Sequence, residues 1–311
     1  MTSAHKTAVT SYNSNHGSYD QFRPSFRSSI VDQFLQDLNL GDDTNSRILE
    51  LAAGTGKFTR SLVDKGYTNL VVVEPSEGML QTFHQNFPEI ETHLGSSYDI
   101  PLKDASVDAV VVAQGFHWFS DEASLEEIKR VLKHGGKFGC IWNYDTYSKS
   151  QILNTPLPSV KFLFEELSPE PVQKLIDGPI EQETPFEVSK KIYEQRPWCH
   201  DVATYIYGYD ANVPQYRHGK WRELLKNSKV FPPIEKEGFL LYESLIPEDE
   251  VFKYWETRSY ITALSDSEKQ TVQYNVGSIL RDKVTEADRS GDSLKRIMGT
   301  HFIVVPKSDN S

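Results

Sequence analysis

Arg47-Ile48-Leu49-Glu50-Leu51-Ala52-Ala53-Gly54-Thr55-Gly56-Lys57-Phe58-Thr59 is the stretch from which the rest of the chain can be read. The apolar run Ile48–Ala52 is too short for a helix and has polar neighbours, which predicts a buried parallel strand. Small residues interrupt it, and apolar positions resume at helical spacing through Phe58, Leu62 and Val63 until Gly66 ends them. A strand, a glycine turn and a helix make half of a nucleotide-binding unit. Ala52, Gly54 and Gly56 would let a ligand lie against bare backbone at the strand end, with the acidic Glu50 just before the turn.

The next predicted strand, Asn69–Val73, ends in Glu74-Pro75-Ser76. Glu74 lies 18 residues after Gly56, where such a sheet places the carboxylate that holds ribose hydroxyls. The glycine pattern separates cofactors. A dinucleotide fingerprint is G-x-G-x-x-G/A; aligned on Gly54 its third small position is Thr59, and aligned on Ala52 it is Lys57. Neither matches.

The stretch Glu50-Leu-Ala-Ala-Gly-Thr-Gly resembles instead the first motif, E/D-x-G-x-G-x-G, of the class I S-adenosylmethionine-dependent methyltransferases. Ala52 replaces the first glycine, at a position expected not to need a positive φ. The resemblance implies that Glu50 contacts the methionine amino group, that Glu74 takes the ribose diol, and that Pro75 and the residues after it pack on adenine. Ser76 is expected to cap a helix whose Met79 lies near that adenine. The loop Gly95-Ser96-Ser97-Tyr98-Asp99-Ile100-Pro101-Leu102 resembles the family's G-D-A-E-x-L-P segment. Ser96 stands where the family has an Asp that accepts from the adenine amino group, and either its hydroxyl or Asp99 would take that bond. The segment Tyr19-x-x-x-Arg23-Pro24 resembles the leading segment of a group that includes trans-aconitate methyltransferase-like proteins, where it lies over the cofactor.

The fourth strand, Val107–Ala113, runs into Gln114-Gly115-Phe116-His117-Trp118-Phe119. Open parallel sheets bind ligands off the C-terminal ends of their strands, which places this loop at the reacting group. It resembles the A-Q-x-F-H-W-F signature of the same group, implying that Gln114 faces the cofactor and that His117 and Trp118 face the substrate. Core packing is the other reading of Phe116 and Trp118, and a buried, hydrogen-bonded imidazole that of His117. The N/D-P-P-Y/F segment of enzymes that methylate exocyclic adenine or glutamine nitrogens is absent here; Pro232 and Pro233 lie far downstream.

Arg130-Val-Leu-Lys-His-Gly-Gly resembles the family's turn into a fifth strand, Lys137–Trp142. Beyond it, helical spacing is read at Val160–Leu167 and Tyr216–Leu225, strands at Phe239–Glu243 and Thr300–Val305, and a capping box at Ser265–Glu268. Arg258-Ser259-Tyr260 resembles an S-R-S-Y element, and Arg258 is the residue expected to hold a carboxylate in bidentate fashion. A surface arginine at a helix end is its alternative.

The sequence therefore predicts an α/β, Rossmann-like, seven-stranded, mostly parallel sheet with the last strand antiparallel. Its expected parts are an arm at 1–17, a cofactor-binding core at 18–147, a helical substrate-selecting cap at 148–235 and a closing region at 236–311. With a net charge of −11 and no basic run, the chain is not expected to bind nucleic acid. Cys140 and Cys199 offer neither a disulfide framework nor zinc spacing, and no metal is expected. No leader or membrane-spanning run is read, so the expected compartment is the cytoplasm and the expected partner a small-molecule substrate. The expected chemistry is O-methylation of a carboxylate or hydroxyl. A nicotinamide-dependent Rossmann oxidoreductase and a cofactor-binding protein without catalysis stay open, as does oligomeric state.

Overall fold

The computed structural model describes residues 22–41, 43–148, 160–168, 172–173, 184–210 and 213–307. Tyr19 and the arm at 1–17 lie outside them. The described strands are β1 (Ile48–Leu51), β2 (Leu70–Glu74), β3 (Glu91–Leu94), β4 (Val107–Ala113), β5 (Leu132–Tyr144), β6 (Val160–Glu165), β7 (Lys236–Pro247), β8 (Arg289–Ser290) and β9 (Ser293–Pro306). They join one sheet in the order β3-β2-β1-β4-β5-β9-β7-β6, with β8 paired to β9. The ladders from β3 through β5 are parallel. β9, the last strand in sequence, runs antiparallel to β5: the Lys307 N–H donates to the Gly136 carbonyl, while the Thr300 hydroxyl donates to Asn143.

Among the described residues the sheet has nine strands, the expected seven and two more. One addition is the two-residue β8. The other is β6, where a helix was predicted: Val160, Leu163, Phe164 and Leu167 do follow helical spacing. The alternating Phe162 and Phe164 carry the strand instead, with Phe162 stacked on Phe239 of β7 at 5.1 Å between ring centroids. Neighbouring-strand contacts override local spacing in such short aromatic runs.

The chain divides into two compact units. Unit 1 comprises residues 1–142, 214–238 and 301–311; unit 2 comprises 143–213 and 239–300. In unit 1, α1 (Ser28–Asp37) buries Ile30, Val31, Phe34 and Leu35, and Phe34 meets Phe58 and Phe302. After β1 comes α2 (Lys57–Asp64), after β2 α3 (Glu77–Asn86), and after β4 α4 (Glu122–Val131). Ser76 caps α3 by accepting the Met79 N–H, and Asp121 caps α4 by accepting that of Ser124. β1, β2 and the centre of β4 are buried, the pattern of a parallel sheet covered on both faces.

Unit 1 also buries a polar chain. Arg222 is ion-paired with Glu237, Glu237 accepts from His301 Nε2 at 2.7 Å, and His301 Nδ1 accepts the Tyr216 hydroxyl at 2.6 Å. Burial lowers the His301 pKa to about 4 against the pull of Glu237, so the ring is neutral. Burial works to raise the Glu237 pKa, but Arg222 and His301 outweigh it and bring the value to about 2.

In unit 2, Trp198, Val202, Ile206, Val251, Trp255, Val272 and Val276 share one apolar cluster. The capping box at Ser265 and Glu268 starts its long helix, Asp266–Lys283. No helix among the described residues is long and apolar enough to cross a membrane.

Candidate functional site

Three parallel strands deliver the candidate residues to their C-terminal ends. Glu50, in β1, is 2 % exposed. Its Oε2 accepts the Thr59 hydroxyl at 2.5 Å, and its Oε1 is buried with no hydrogen-bond partner among the described residues. Thr59 was missed as a functional residue, although a polar side chain on the apolar face of α2 was its signal. Burial pushes the Glu50 pKa up to about 8, the Thr59 hydrogen bond opposing and the charge of Glu74 adding.

Glu74 ends β2 and is also buried. One oxygen accepts the Gly54 N–H and the other the Ser76 N–H, each at 2.9 Å. Burial raises its pKa to about 7 against those two hydrogen bonds. The acid thus ties the turn after β1 to the turn after β2.

The glycine turn corrects one expectation. Ala52 has φ 58°, in the left-handed region, while its N–H continues the ladder to the Val73 carbonyl at 2.7 Å. The ladder hydrogen bond and the sharp turn behind it impose a conformation that costs an L-residue about 1–2 kcal/mol. At the adjacent end of β4, Gln114 has φ 61°, its N–H donating to the Ile141 carbonyl at 2.9 Å. Non-glycine residues held in this region are a recurrent mark of functional sites. Gly115 beside it has no room to spare, since a Cβ there would lie 3.3 Å from the Ala52 methyl.

Gly54 and Gly56 differ in what they do. Both have positive φ, 60° and 89°. A Cβ on Gly54 meets nothing within 4 Å, so that side of the turn is open. One on Gly56 would collide with the rings of Phe87 and Phe83. Gly56 is therefore a packing glycine at the start of α2, and Gly54 an approach glycine.

Pro75 is half-buried and Met79 is 4 % exposed. In the loop after β3 the Ser96 hydroxyl accepts the Tyr98 N–H at 3.3 Å, Ser97 bonds the Ser124 hydroxyl at 2.8 Å, and the Tyr98 hydroxyl donates to Asp121 at 2.7 Å. Asp99 is exposed. The contacts to α4 were not legible, because Ser124 and Asp121 lie more than twenty residues away in sequence. Arg23 is half-buried ahead of α1. Phe116 is core, packed edge-on against Phe138, whereas His117 and Trp118 are half-buried on a single 3-10 turn, Phe116–Trp118. These residues all belong to unit 1.

Arg258 belongs to unit 2. Its guanidinium is ion-paired with Asp145, donates to the Tyr254 hydroxyl at 3.0 Å, and lies over the Trp255 ring at 5.1 Å. Asp145 also accepts from Tyr254. The surface alternative for Arg258 is excluded; it is committed to a carboxylate of its own chain. Beside this cluster a cavity of about 20 Å³, with room for about one water, is lined by Asp145, Tyr254, Trp255 and Arg296. Among the described residues no group of three or more His, Cys, Asp or Glu side chains could hold a metal ion.

Glu50 Oε1, buried and without a partner among the described residues, is an acceptor suited to an ammonium group. Gly54 leaves its turn open to a ligand, and Glu74 retains acceptor capacity for a diol. These features fit S-adenosylmethionine.

Comparison with known proteins agrees. The methyltransferase domain family matches residues 49–140. An uncharacterised methyltransferase-like protein of Schizosaccharomyces pombe is 39% identical over 140 residues, 45% of this chain and 54% of that protein. An uncharacterised methyltransferase of Mycobacterium tuberculosis is 38% identical over 143 residues, 46% of this chain and 56% of its own. The chain thus spans about half the length of these curated relatives. The demethylmenaquinone methyltransferase of Thermotoga maritima is 36% identical over 93 residues, 29% of this chain and 41% of that protein. A structure from Anaeromyxobacter dehalogenans, described as a type II methyltransferase, superposes with a TM-score of 0.54 at 17% identity, covering 92% of this chain and 97% of that one, and shares the fold. The part of the chain that the methyltransferase domain family matches, 49–140, is the part that carries Glu50, the Gly54–Gly56 turn and Glu74 at its strand ends.

Proposed function

We propose that the chain transfers a methyl group from S-adenosylmethionine to an oxygen, carboxylate or hydroxyl, of a small molecule. The observation that carries this reading is the pair of acids at the ends of β1 and β2, one of them with a buried oxygen that has no partner among the described residues. When bound, S-adenosylmethionine supplies a methyl group on a sulfonium, which needs no metal for its displacement. Glu50 would hold the amino group, Glu74 the ribose diol, and Pro75 and Met79 the adenine face. Ser96, Ser97 and Tyr98 border the adenine edge, with Arg23 and Gln114 closing over the cofactor.

The protein's further work is alignment and exclusion of water. His117 and Trp118 do this on the acceptor side. An ionised carboxylate acceptor needs no general base, whereas a hydroxyl would give its proton to His117. Arg258 serves as a carboxylate partner only by exchanging Asp145 for the substrate. Glu50 also counts against a nicotinamide dinucleotide, whose pyrophosphate at the turn after β1 would meet a buried carboxylate that has no cationic partner among the described residues.

The test is transfer of labelled methyl from S-adenosylmethionine to a panel of carboxylic acids, phenols and demethylmenaquinone, followed by mild base. Label released as methanol identifies an ester; base-stable label on a phenol identifies an ether. Label on demethylmenaquinone carbon would replace the oxygen acceptor with the one that names the Thermotoga relative. Binding without transfer to any acceptor would refute the catalytic reading.

A further inference from the structure

Glu50 and Glu74 are buried acids on adjacent parallel strands, with Leu51 paired to Val73 between them. All of their partners among the described residues are neutral: the Thr59 hydroxyl for Glu50, and the backbone N–H groups of Gly54 and Ser76 for Glu74. Among the described residues, no charged group on the surrounding elements bonds either acid. On β4, Asp108 takes the Lys133 ammonium and the Arg47 N–H. On α2, Arg60 lies over the Phe87 ring, and Lys57 and Asp64 bond neither acid; on α3, His84 meets Thr92 and Glu77 bonds neither acid.

A buried carboxylate without a counter-charge avoids ionising, and a second one beside it raises the cost. The shifts of both groups run in that direction, burial being the largest cause of each. A site built this way lacks a cation that its ligand must bring.

We propose that ligand binding at this site is proton-linked: the free protein carries a proton on the Glu50–Glu74 pair, and the ammonium of an amino-acid-bearing nucleoside displaces it. This rests on the cofactor reading above. The carboxyl loses its proton to the solvent as the ammonium arrives, so a carboxylate–ammonium pair forms and one proton is released for each such pair. Affinity therefore rises with pH. With a Glu50 pKa of about 8, the ionised fraction is about 1 % at pH 6 and about half at pH 8, a gain of about fiftyfold from Glu50 alone.

Titration calorimetry of S-adenosylhomocysteine binding at pH 6, 7 and 8 in phosphate, repeated at pH 7 and 8 in Tris, tests this. The expected result is an affinity that climbs about fiftyfold from pH 6 to pH 8, with about one proton released per ligand at pH 7. Glu50→Gln, which keeps the shape of the protonated acid, is expected to bind at pH 8 no better than the unaltered protein does at pH 6, and to lose most of the proton release. Adenosine, which lacks the ammonium, is expected to bind without drawing the proton from Glu50. Equal affinity at pH 6 and 8 with no difference between buffers would overturn the proposal and leave the cofactor reading intact. No binding of S-adenosylhomocysteine at any pH would sink the cofactor reading itself.

Discussion

Replacing Gly56 by alanine should cost far more than the same change at Gly54, although both lie in one short turn. Gly56 has φ 89° and precedes the first residue of α2. Its added Cβ would overlap Phe87 Cε2 and stand 2.9 Å from Phe87 Cδ2 and 3.0 Å from Phe83 Cδ2. Left-handed backbone costs an alanine about 1–2 kcal/mol, of which about 0.4–1 is recovered because the unfolded chain is stiffer. Forcing the two buried rings aside adds about 1–3 kcal/mol. The expected loss for Gly56→Ala is thus about 1–5 kcal/mol, centred near 3, against about 1 kcal/mol for Gly54→Ala, which meets no neighbour. Urea denaturation followed by circular dichroism measures both. In the Gly56→Ala background, Phe87→Ala should recover part of the loss, a coupling that a double-mutant cycle reads directly. Equal destabilisation by the two glycine variants, or no coupling to Phe87, would refute the division into a packing glycine and an approach glycine.

Glu74→Ala should weaken nucleoside binding by roughly 1–3 kcal/mol, as expected when a charge-assisted acceptor is lost; calorimetry showing unchanged affinity would remove the ribose assignment. His117→Ala should lower turnover of a hydroxyl acceptor more than that of a carboxylate, and equal losses in steady-state rates would leave His117 a positioning role alone. Acid should destabilise the fold through the buried polar chain. The His301 pKa is depressed to about 4, so below the ordinary imidazole value the unfolded chain binds the extra proton and stability falls from near pH 6.5 down to about pH 4. The depressed Glu237 pKa, about 2, gives a contribution that is complete above its ordinary value of 4.5 and is lost as pH falls toward 2. The raised pKa values of Glu50 and Glu74 act in the opposite sense, adding stability as pH falls from about 8 toward 4.5, so the polar chain is read by difference: the gap in melting temperature between the unaltered protein and His301→Gln should shrink from pH 7 to pH 4.

The parallel half of the sheet was legible because its signals are local. Ile48–Leu51, Leu70–Glu74 and Val107–Ala113 are short apolar runs, each followed by turn residues, and the acids Glu50 and Glu74 are placed by the strands that carry them. What escaped depends on partners remote in sequence or on backbone torsion. Val160–Leu167 fits a helix until Phe239 is known to lie beside Phe162. Nothing in the order Ala52-Ala53-Gly54 reveals that Ala52 bears a positive φ, because the ladder bond to Val73 sets it. Arg258 could be read as a carboxylate-binding residue from its chemistry, but its actual carboxylate, Asp145, is 113 positions away.

The strand β9 ends inside unit 1, where Phe302 packs on Phe34 at 5.3 Å between centroids and fills the space that Gly238 leaves bare. A Cβ at 238 would clash with that ring. Helix α1 therefore waits for a side chain of β9, far downstream in the sequence, before its own core is closed. During synthesis from the N-terminus, β1 to β5 leave the ribosome well before β9, and the edge of β5 that pairs with β9 stays unsatisfied in the meantime. Such long-range closure slows folding, so the nascent chain spends that interval with an open strand edge and an unfinished aromatic cluster, the period in which chaperone protection would matter most.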